Sequence, residues 1–462
     1  MKNIFAKVSI LFTLVVTGCT FNKGGSSSSS SSEGEETYTD ERNYTYTNRI
    51  VEPSSIVHNM SDLKAITDYH AFYKDADNFN VTIADDYVWS TTQRTVKTEI
   101  VYLYWYGELI NGVIGVTGTQ VDSSTWNIQY QYYQNAVIDG HQSKQLLKDL
   151  SYKEHTQTRS GDYNNFATED NSKPVADIAT SQQLWYAAEH GYKINPIPNS
   201  PAEKYYNKAK QVLRQIIDDN MDDYAKISAI YDYIEHNSTY CYEAADAIGD
   251  VPDPENFPDV VCSQYKAFYL EGFFDNGTVV CDGFSKVYTL LGSMEGLSIY
   301  RALGTSDKEW ESKEVAGHAY CFVELNNKYY LSCPTWGQYS AGEYYDKVVT
   351  NKNYFLSPED YIYPYESTGW ENLNYTTTTN NLKYFQDNYI TYQGNNYSLY
   401  VEDSVTSYEP YFNALANNNN SYIDLYFENY SDLVTFYQQT NTAGYGFTYS
   451  QNNKNEFIVW RA

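Results

Sequence analysis

The spacing of apolar positions changes period several times along this chain, and each change marks a predicted element. A helical spacing runs from about Ser61 to Tyr73. Ile100, Tyr102, Tyr104 and Tyr106 then alternate with other residues, Asn111-Gly112 follows, and Trp126, Ile128, Tyr130 and Tyr132 alternate again. Alternation on both sides of an Asn-Gly dipeptide predicts an antiparallel sheet turned by a tight hairpin. Ser200-Pro201-Ala202-Glu203 is a capping box with proline at the first helical position. Ala202, Tyr205, Tyr206, Ala209, Val212, Leu213, Ile216 and Ile217 follow on one helical face, and Ile227, Ile230, Tyr231 and Ile234 mark a second helix. Stripes of this kind are core faces, not cofactor sites.

A third stripe, Phe284, Val287, Tyr288, Leu291 and Met294, stops at Gly296 and predicts a helix beginning at Cys281. Farther on, Gly317–Val323 and Lys328–Cys333 flank Asn326-Asn327, which reads as a two-residue β-hairpin. With those asparagines as the loop, Tyr320 faces Cys333, and the period of two puts His318 on the same face one diagonal step away. Cys321 falls on the opposite face. The last segment predicts a small α+β unit: strands near Tyr389 and from Tyr397 to Val401, a strand through Ile423, Leu425 and Phe427, a helix begun by Ser431, and closing strands ending at Trp460.

The first residues follow a different logic. Lys2 and Lys7 accompany an apolar run from Val8 to Val16, too short for the roughly 20 residues of a membrane span. Val16-Thr17-Gly18-Cys19 resembles the lipobox of bacterial lipoproteins, in which the cysteine becomes the lipidated first residue. A glycine pair, the serines from Ser26 to Ser32 and the acidic Glu33-Gly34-Glu35-Glu36 come next, a composition suited to a flexible tether. The net charge of −28 argues against nucleic acid and against electrostatic docking on an anionic membrane. The expected location is therefore extracytoplasmic, with the membrane reached through a lipid anchor at Cys19.

Six cysteines include Cys19, leaving Cys241, Cys262, Cys281, Cys321 and Cys333, an odd number with no Cys-x-x-Cys pair. A free thiol is most often a buried structural residue. Cys281 has a stronger case, because a sulfur at a helix N-terminus is favoured as thiolate, the reactive form. Val280-Cys281-Asp282-Gly283-Phe284-Ser285-Lys286, Gly317-His318-Ala319-Tyr320 and Tyr330-Leu331-Ser332-Cys333-Pro334-Thr335-Trp336 together resemble the core of the transglutaminase-like (papain-like cysteine enzyme) superfamily. The helix pair ending in Ser238-Thr239-Tyr240-Cys241-Tyr242 extends the resemblance upstream, and Asn353-Tyr354-Phe355-Leu356-Ser357 matches the short strand that follows the Trp in that family, so that the resemblance covers about Ser200 to Ser357.

The resemblance implies an α+β fold with a central transglutaminase-like, papain-like domain between small flanking units. The expected organisation is a lipoprotein signal peptide over 1–18, a Ser-rich tether over 19–37, an N-terminal antiparallel-sheet accessory domain over 38–164, the transglutaminase-like domain over 165–365 and a small C-terminal α+β domain over 366–462. It also implies a Cys281 nucleophile and a His318 base, with Cys333 at the position where the family carries an Asp. The oxyanion donors it implies are the Cys281 N–H and a group from the preceding segment, Gln264 or Tyr265. No cofactor or metal is implied, and a zinc site from Cys281, His318, Cys321 and Cys333 is disfavoured because Cys321 lies on the other face.

A thiol at position 333 orients an imidazole less well than a carboxylate. Replacing the buried Asp of a serine enzyme costs about 10⁴ in rate. The competing readings are a weakened cysteine acyltransferase or protease acting on protein or peptide, including cell-wall peptide; a degenerate domain serving as a binding or scaffold module; and a tyrosine-rich adhesive surface protein. Lipidation is the prediction the leader generates: intact mass of the membrane fraction should give a chain beginning at Cys19 with two or three acyl groups. A soluble mature chain starting elsewhere refutes it.

Overall fold

A computed structural model describes residues 38–39, 45–46, 51–73, 78–89, 92, 94–105, 113–132, 166–247, 266–305, 317–339, 352–357, 363–364, 381–403, 405, 407–417, 422–443, 446–449 and 456–460. The fold is α+β. Cys19, the tether, Asn111-Gly112, Cys262, Gln264 and Tyr265 lie outside the described residues. No helix among the described residues is long and apolar enough to cross a membrane.

The N-terminal sheet has four strands in the order Ile56–Val57, Asn78–Ile83, Thr125–Tyr132, Val113–Gln120. Its last two pairings are antiparallel, as expected, whereas Ile56–Val57 joins the edge in parallel. Phe79, Val81 and Ile83 point inward with Ile128 and Tyr130 opposite, and the helix Met60–Tyr73 adds Leu63 and Ile66 to the same core. Asp122 turns the hairpin by accepting hydrogen bonds from the Ser124 and Thr125 N–H groups at 2.9 and 2.7 Å.

The strand expected across Ile100 to Tyr106 is instead the helix Val96–Trp105. Val96 and Ile100, four residues apart, are both buried, and the Thr95 hydroxyl caps the helix by accepting from the Thr98 N–H at 3.1 Å. In a chain with 51 tyrosines, alternate aromatics arise easily, and one buried face with a cap outweighs them here.

This sheet shares one hydrophobic core with the helices that follow. The helix Ser181–Glu189 forms the join: Gln183 Nε2 donates to the Phe72 carbonyl, and the Phe72 and Tyr186 rings meet at 5.5 Å. The expected capping box opens Pro201–Ile216, with Ser200 Oγ accepting from the Glu203 N–H at 3.2 Å. Asp222 caps Asp223–His236 by accepting from the Ala225 N–H at 2.8 Å. Both helices pack around the central Cys281–Met294 helix, which is buried nearly all round.

A four-stranded antiparallel sheet covers that helix, in the order Lys328–Ser332, Gly317–Leu325, Ile299–Thr305, Tyr363–Pro364. Asn326 and Asn327 adopt φ of 55° and 60°, the left-handed pair that a two-residue hairpin turn requires. Cys321 therefore pairs with Ser332 and Phe322 with Leu331, the expected register. The strand expected over 353–357 is reduced to one bridge, Leu331 to Ser357, after a short 3₁₀ turn at Lys352–Tyr354. Leu356, at φ 51°, departs from extended backbone directly before the bridge and keeps the segment from running on as a strand.

The C-terminal residues form a second core around Val401, Leu425, Phe427 and Phe436. Its sheet runs Tyr400–Val401, Tyr422–Phe427, Glu456–Trp460, Gly446–Tyr449, with the helix Tyr430–Ala443 beginning one residue before Ser431.

Gly283, in the first turn of the Cys281 helix, is a position where close approach demands glycine. A Cβ there would lie 2.4 Å from the Ala267 carbonyl oxygen, which already accepts the Val280 N–H at 3.0 Å. Gly283→Ala should destabilise the fold by about 1–3 kcal/mol, the usual penalty of overpacking. Denaturant unfolding checks this, and an unchanged midpoint refutes the close fit.

Candidate active site

The Cys281 helix starts where the chain leaves a short parallel pairing of Thr239–Tyr240 with Thr278–Val279. Val280 is extended at the N-cap, and Cys281 is the first helical residue. Its carbonyl accepts from Ser285 Oγ at 2.9 Å, and its sulfur accepts backbone N–H groups from Ala319 and Asp282. Ala319 follows His318 in the strand, so the sulfur lies against the backbone of the residue next to the imidazole.

Asp282 is buried between two cations. Lys286 Nζ reaches it at 2.6 Å, and Arg301 reaches it through Nε at 2.6 Å and Nη2 at 2.5 Å. Burial would raise its carboxyl pKa, but Arg301 and Lys286 outweigh that and hold it below the ordinary range. The Arg301 backbone N–H donates to Glu189 Oε1 at 2.8 Å, and the Trp185 ring lies beneath both cations, 5.3 Å from Lys286 and 5.4 Å from Arg301. The first turn of the helix is thereby fixed to Ile299–Thr305 and to Ser181–Glu189.

His318 sits near the start of Gly317–Leu325, and Cys333 comes directly after Lys328–Ser332. His318 Nε2 and Cys333 Sγ are 3.1 Å apart. The Trp336 ring stacks on the imidazole at 4.4 Å and 5°. With Nε2 engaged at Cys333, Nδ1 is the ring nitrogen left to exchange a proton with another group. The Cys333 backbone is held from both sides: its N–H donates to the Tyr354 carbonyl at 2.8 Å, and its carbonyl accepts from the Gly337 N–H at 3.0 Å and Tyr231 Oη at 3.3 Å. The Trp336 backbone N–H faces its sulfur.

These contacts decide what a thiol does at position 333. A carboxylate only accepts, so it keeps the proton on Nε2 and leaves Nδ1 as a base. A thiol can donate to Nε2 as readily as accept from it, and so leaves the tautomer open. The Trp336 N–H would suit an anion, yet burial raises the Cys333 thiol well above its ordinary range despite it. It stays a neutral thiol.

Burial also corrects the expectation that Cys281 is a thiolate. Desolvation pushes its thiol up to about 11, although the Ala319 N–H pulls the other way. The same cause lowers His318 to about 3. The resting site is a neutral thiol beside a neutral imidazole, because the field of a helix end is weaker than the loss of water. Cys281 keeps partial solvent exposure, so a small electrophile can reach it.

Cys321 faces away from the site, with its sulfur 3.6 Å from the Ser285 carbonyl and 3.7 Å from Thr289 Oγ1. Cys241, Cys281, Cys321 and Cys333 are all free thiols. Among the described residues no group of three His, Cys, Asp or Glu side chains is arranged to hold a metal ion. Tyr231 and Trp336 are the site residues without an assigned role in the sequence analysis. Tyr231 was counted only in a helical core stripe, and the Pro-Thr-Trp context was the one signal for Trp336. A Cβ on Gly337 would lie 1.8 Å from Glu235 Oε1 and 2.3 Å from Tyr231 Oη, which explains glycine directly after Trp336.

No protein-family model matches the chain, and no curated protein matches it. Three solved structures are similar to parts of it. One is a TGase crystal structure, with a TM-score of 0.23 and 11% identity over 61% of this chain. The chain spans only 59% of that structure's length. A candidate cysteine protease from Cytophaga hutchinsonii has a TM-score of 0.20 and 9% identity, covering 56% of this chain and 69% of that one. A candidate protease from Parabacteroides distasonis has a TM-score of 0.19 and 7% identity, covering 49% and 40%. At these scores the likenesses carry no weight for this chain's fold or activity.

Two consequences for pH follow. Between the ordinary histidine value of 6.5 and about 3, the unfolded chain binds a proton at His318 that the folded chain does not. This contribution to stability is present above 6.5 and is lost as pH falls towards 3. The Cys281 thiol, raised from 9.0 to about 11, has the opposite sign: its contribution is present below 9.0 and is lost as pH rises towards 11. Alkylation of Cys281 by iodoacetamide should therefore climb about tenfold per pH unit from pH 7 to 10, following the thiolate fraction. A plateau at neutral pH would reveal a preformed thiolate–imidazolium pair and refute this charge state.

Proposed function

We propose that this chain is a cysteine-dependent acyl-transfer enzyme of transglutaminase-like type, acting on a glutamine side chain or a peptide bond. The observation that supports this reading is the imidazole of His318 held by Cys333 at 3.1 Å and by the stacked Trp336, with the backbone N–H of the next residue, Ala319, facing the Cys281 sulfur. In the first step the Cys281 proton passes to His318 Nδ1 while the sulfur attacks the carbonyl carbon. The resulting oxyanion takes the Cys281 backbone N–H, which a first-turn residue does not spend within its helix, and a donor from Gln264 or Tyr265. His318 then protonates the departing amine, leaving a thioester. Water or a second amine, deprotonated by His318, releases the acyl group and restores the thiol.

In this reading the transglutaminase-like unit spans 165–365 between two accessory units, and Cys333 in the Asp position makes the enzyme slow. A lipid anchor at Cys19 would hold it outside the cytoplasmic membrane behind the Ser-rich tether, where protein substrates and cell-wall peptide are within reach. No cofactor is needed for this chemistry.

A second reading, a degenerate domain kept for binding, draws on the Cys333 thiol and on the raised Cys281 and lowered His318 values. The two readings differ in one variant. Cys333→Asp should pin the Nε2–H tautomer, favour an imidazolium, and speed both Cys281 alkylation and turnover of glutamine-containing or peptide substrates. Each tenfold gain corresponds to about 1.4 kcal/mol, within reach of a charged hydrogen bond. Cys281→Ala should abolish all turnover. A folded Cys333→Asp protein with no gain in labelling and no turnover would favour the binding reading.

A further inference from the structure

Lys352 is a buried cation with no part in the chemistry above. Its ammonium pairs with Asp232 and donates to Ser228 Oγ at 3.2 Å, both on the helix Asp223–His236. It also lies over the rings of Phe355, Tyr231 and Tyr384, at 4.4, 5.1 and 5.3 Å. Its backbone N–H donates to Asp424 Oδ2 at 3.1 Å, a carboxylate on the C-terminal strand Tyr422–Phe427. A buried ammonium is tolerated only where such partners surround it, so this one has a single resting place. One residue thus binds the C-terminal unit, the helix carrying Tyr231 and the segment 352–357.

From Lys352 the contacts run to the imidazole without a gap. Its carbonyl accepts the Phe355 N–H at 3.2 Å, closing the turn that presents Tyr354. The Tyr354 carbonyl takes the Cys333 N–H at 2.8 Å, and its ring meets Trp336 edge-on at 5.3 Å. Leu356 N–H donates to Ser332 Oγ at 3.1 Å, and Ser357 exchanges backbone hydrogen bonds with Leu331 at 2.9 Å. Tyr231, beneath the ammonium, holds the Cys333 carbonyl. Trp336 and Cys333 both touch His318 from outside its own strand.

We propose that Lys352 is a positioning residue: by clamping segment 352–357 between Asp232 and Asp424 it sets Trp336 and Cys333 against His318, and so sets the direction of Nδ1. The C-terminal unit is then part of the working site and not an appendage. This rests on the reading of His318 as the base, and its test reads geometry separately from turnover. In the full chain labelled with ¹³C-histidine, the ring current of Trp336 displaces the His318 Hε1 resonance, assignable by its loss in His318→Gln. Lys352→Met keeps the length and apolar stem of the side chain while removing the charge.

The expected result is a His318 resonance that moves towards that of an unstacked imidazole while the other six histidines hold theirs. Cys281 alkylation should slow about tenfold, the scale expected for a modest misplacement of a catalytic group. A folded Lys352→Met protein with an unmoved His318 resonance overturns the proposal, whether or not Cys281 slows. If that variant does not fold, Asp232→Asn loosens the same clamp at its partly exposed end and is judged by the same resonance. A wild-type protein without acyl transfer overturns the proposed function but leaves this measurement decisive for Lys352.

Discussion

Asp282, the neighbour of the candidate nucleophile, has its carboxylate buried between the Lys286 ammonium at 2.6 Å and the Arg301 guanidinium at 2.5 Å. In a low-dielectric interior, removing one member of such a group leaves a bare charge and costs about 3–5 kcal/mol. The cluster is therefore strongly specific about where its members sit, whatever its net effect on stability. Lys286 also donates to the Phe268 carbonyl at 3.0 Å, which fixes the turn before the helix. Arg301 belongs to the strand that pairs with the His318 strand, where Gly304 lies opposite His318. One carboxylate thus orients the helix that presents the sulfur and, through a single strand pairing, the imidazole.

The same burial that makes this cluster specific keeps the site quiet. Burial strips much of the water from Cys281 and nearly all of it from His318 and Cys333, so each rests in its neutral form. With a carboxylate at position 333, a fixed negative charge would offset that penalty for the imidazolium. Here the nearest fixed charge, Asp282, is already neutralised by two cations and raises the Cys281 thiol instead of helping it ionise. Ion pairing and ionisation of Cys281 make opposite demands on Asp282, and the pairing prevails.

What could be read from the sequence was what depends on near neighbours. The Asn326-Asn327 loop, the Ser200 cap and the stripe after Cys281 each specify their own geometry within a few residues. The proximity of His318 to position 333 follows from turn length and strand period alone. The helix Val96–Trp105 was misread because tyrosines on alternate positions imitate a strand, while the deciding burial of Val96 and Ile100 is tertiary. The charge state of Cys281 was misread for a related reason, since solvent exclusion is a property of the assembled fold. Lys352 meets Asp232 and Asp424 across 120 and 72 residues, and no periodicity spans such distances.

The two-residue turn at Asn326-Asn327 carries a kinetic consequence. His318 and Cys333 are only 15 residues apart in the chain and are joined by a loop whose backbone already favours closure. Hairpins of this kind form in about 1–10 μs, long before pairings between distant segments are complete. The His318–Cys333 contact is therefore assembled by local chemistry early in folding, while the Cys281 helix and the Lys352 contacts with Asp232 and Asp424 join it only with the finished core. A chain stalled before that point would carry the paired hairpin without the sulfur of Cys281 beside it.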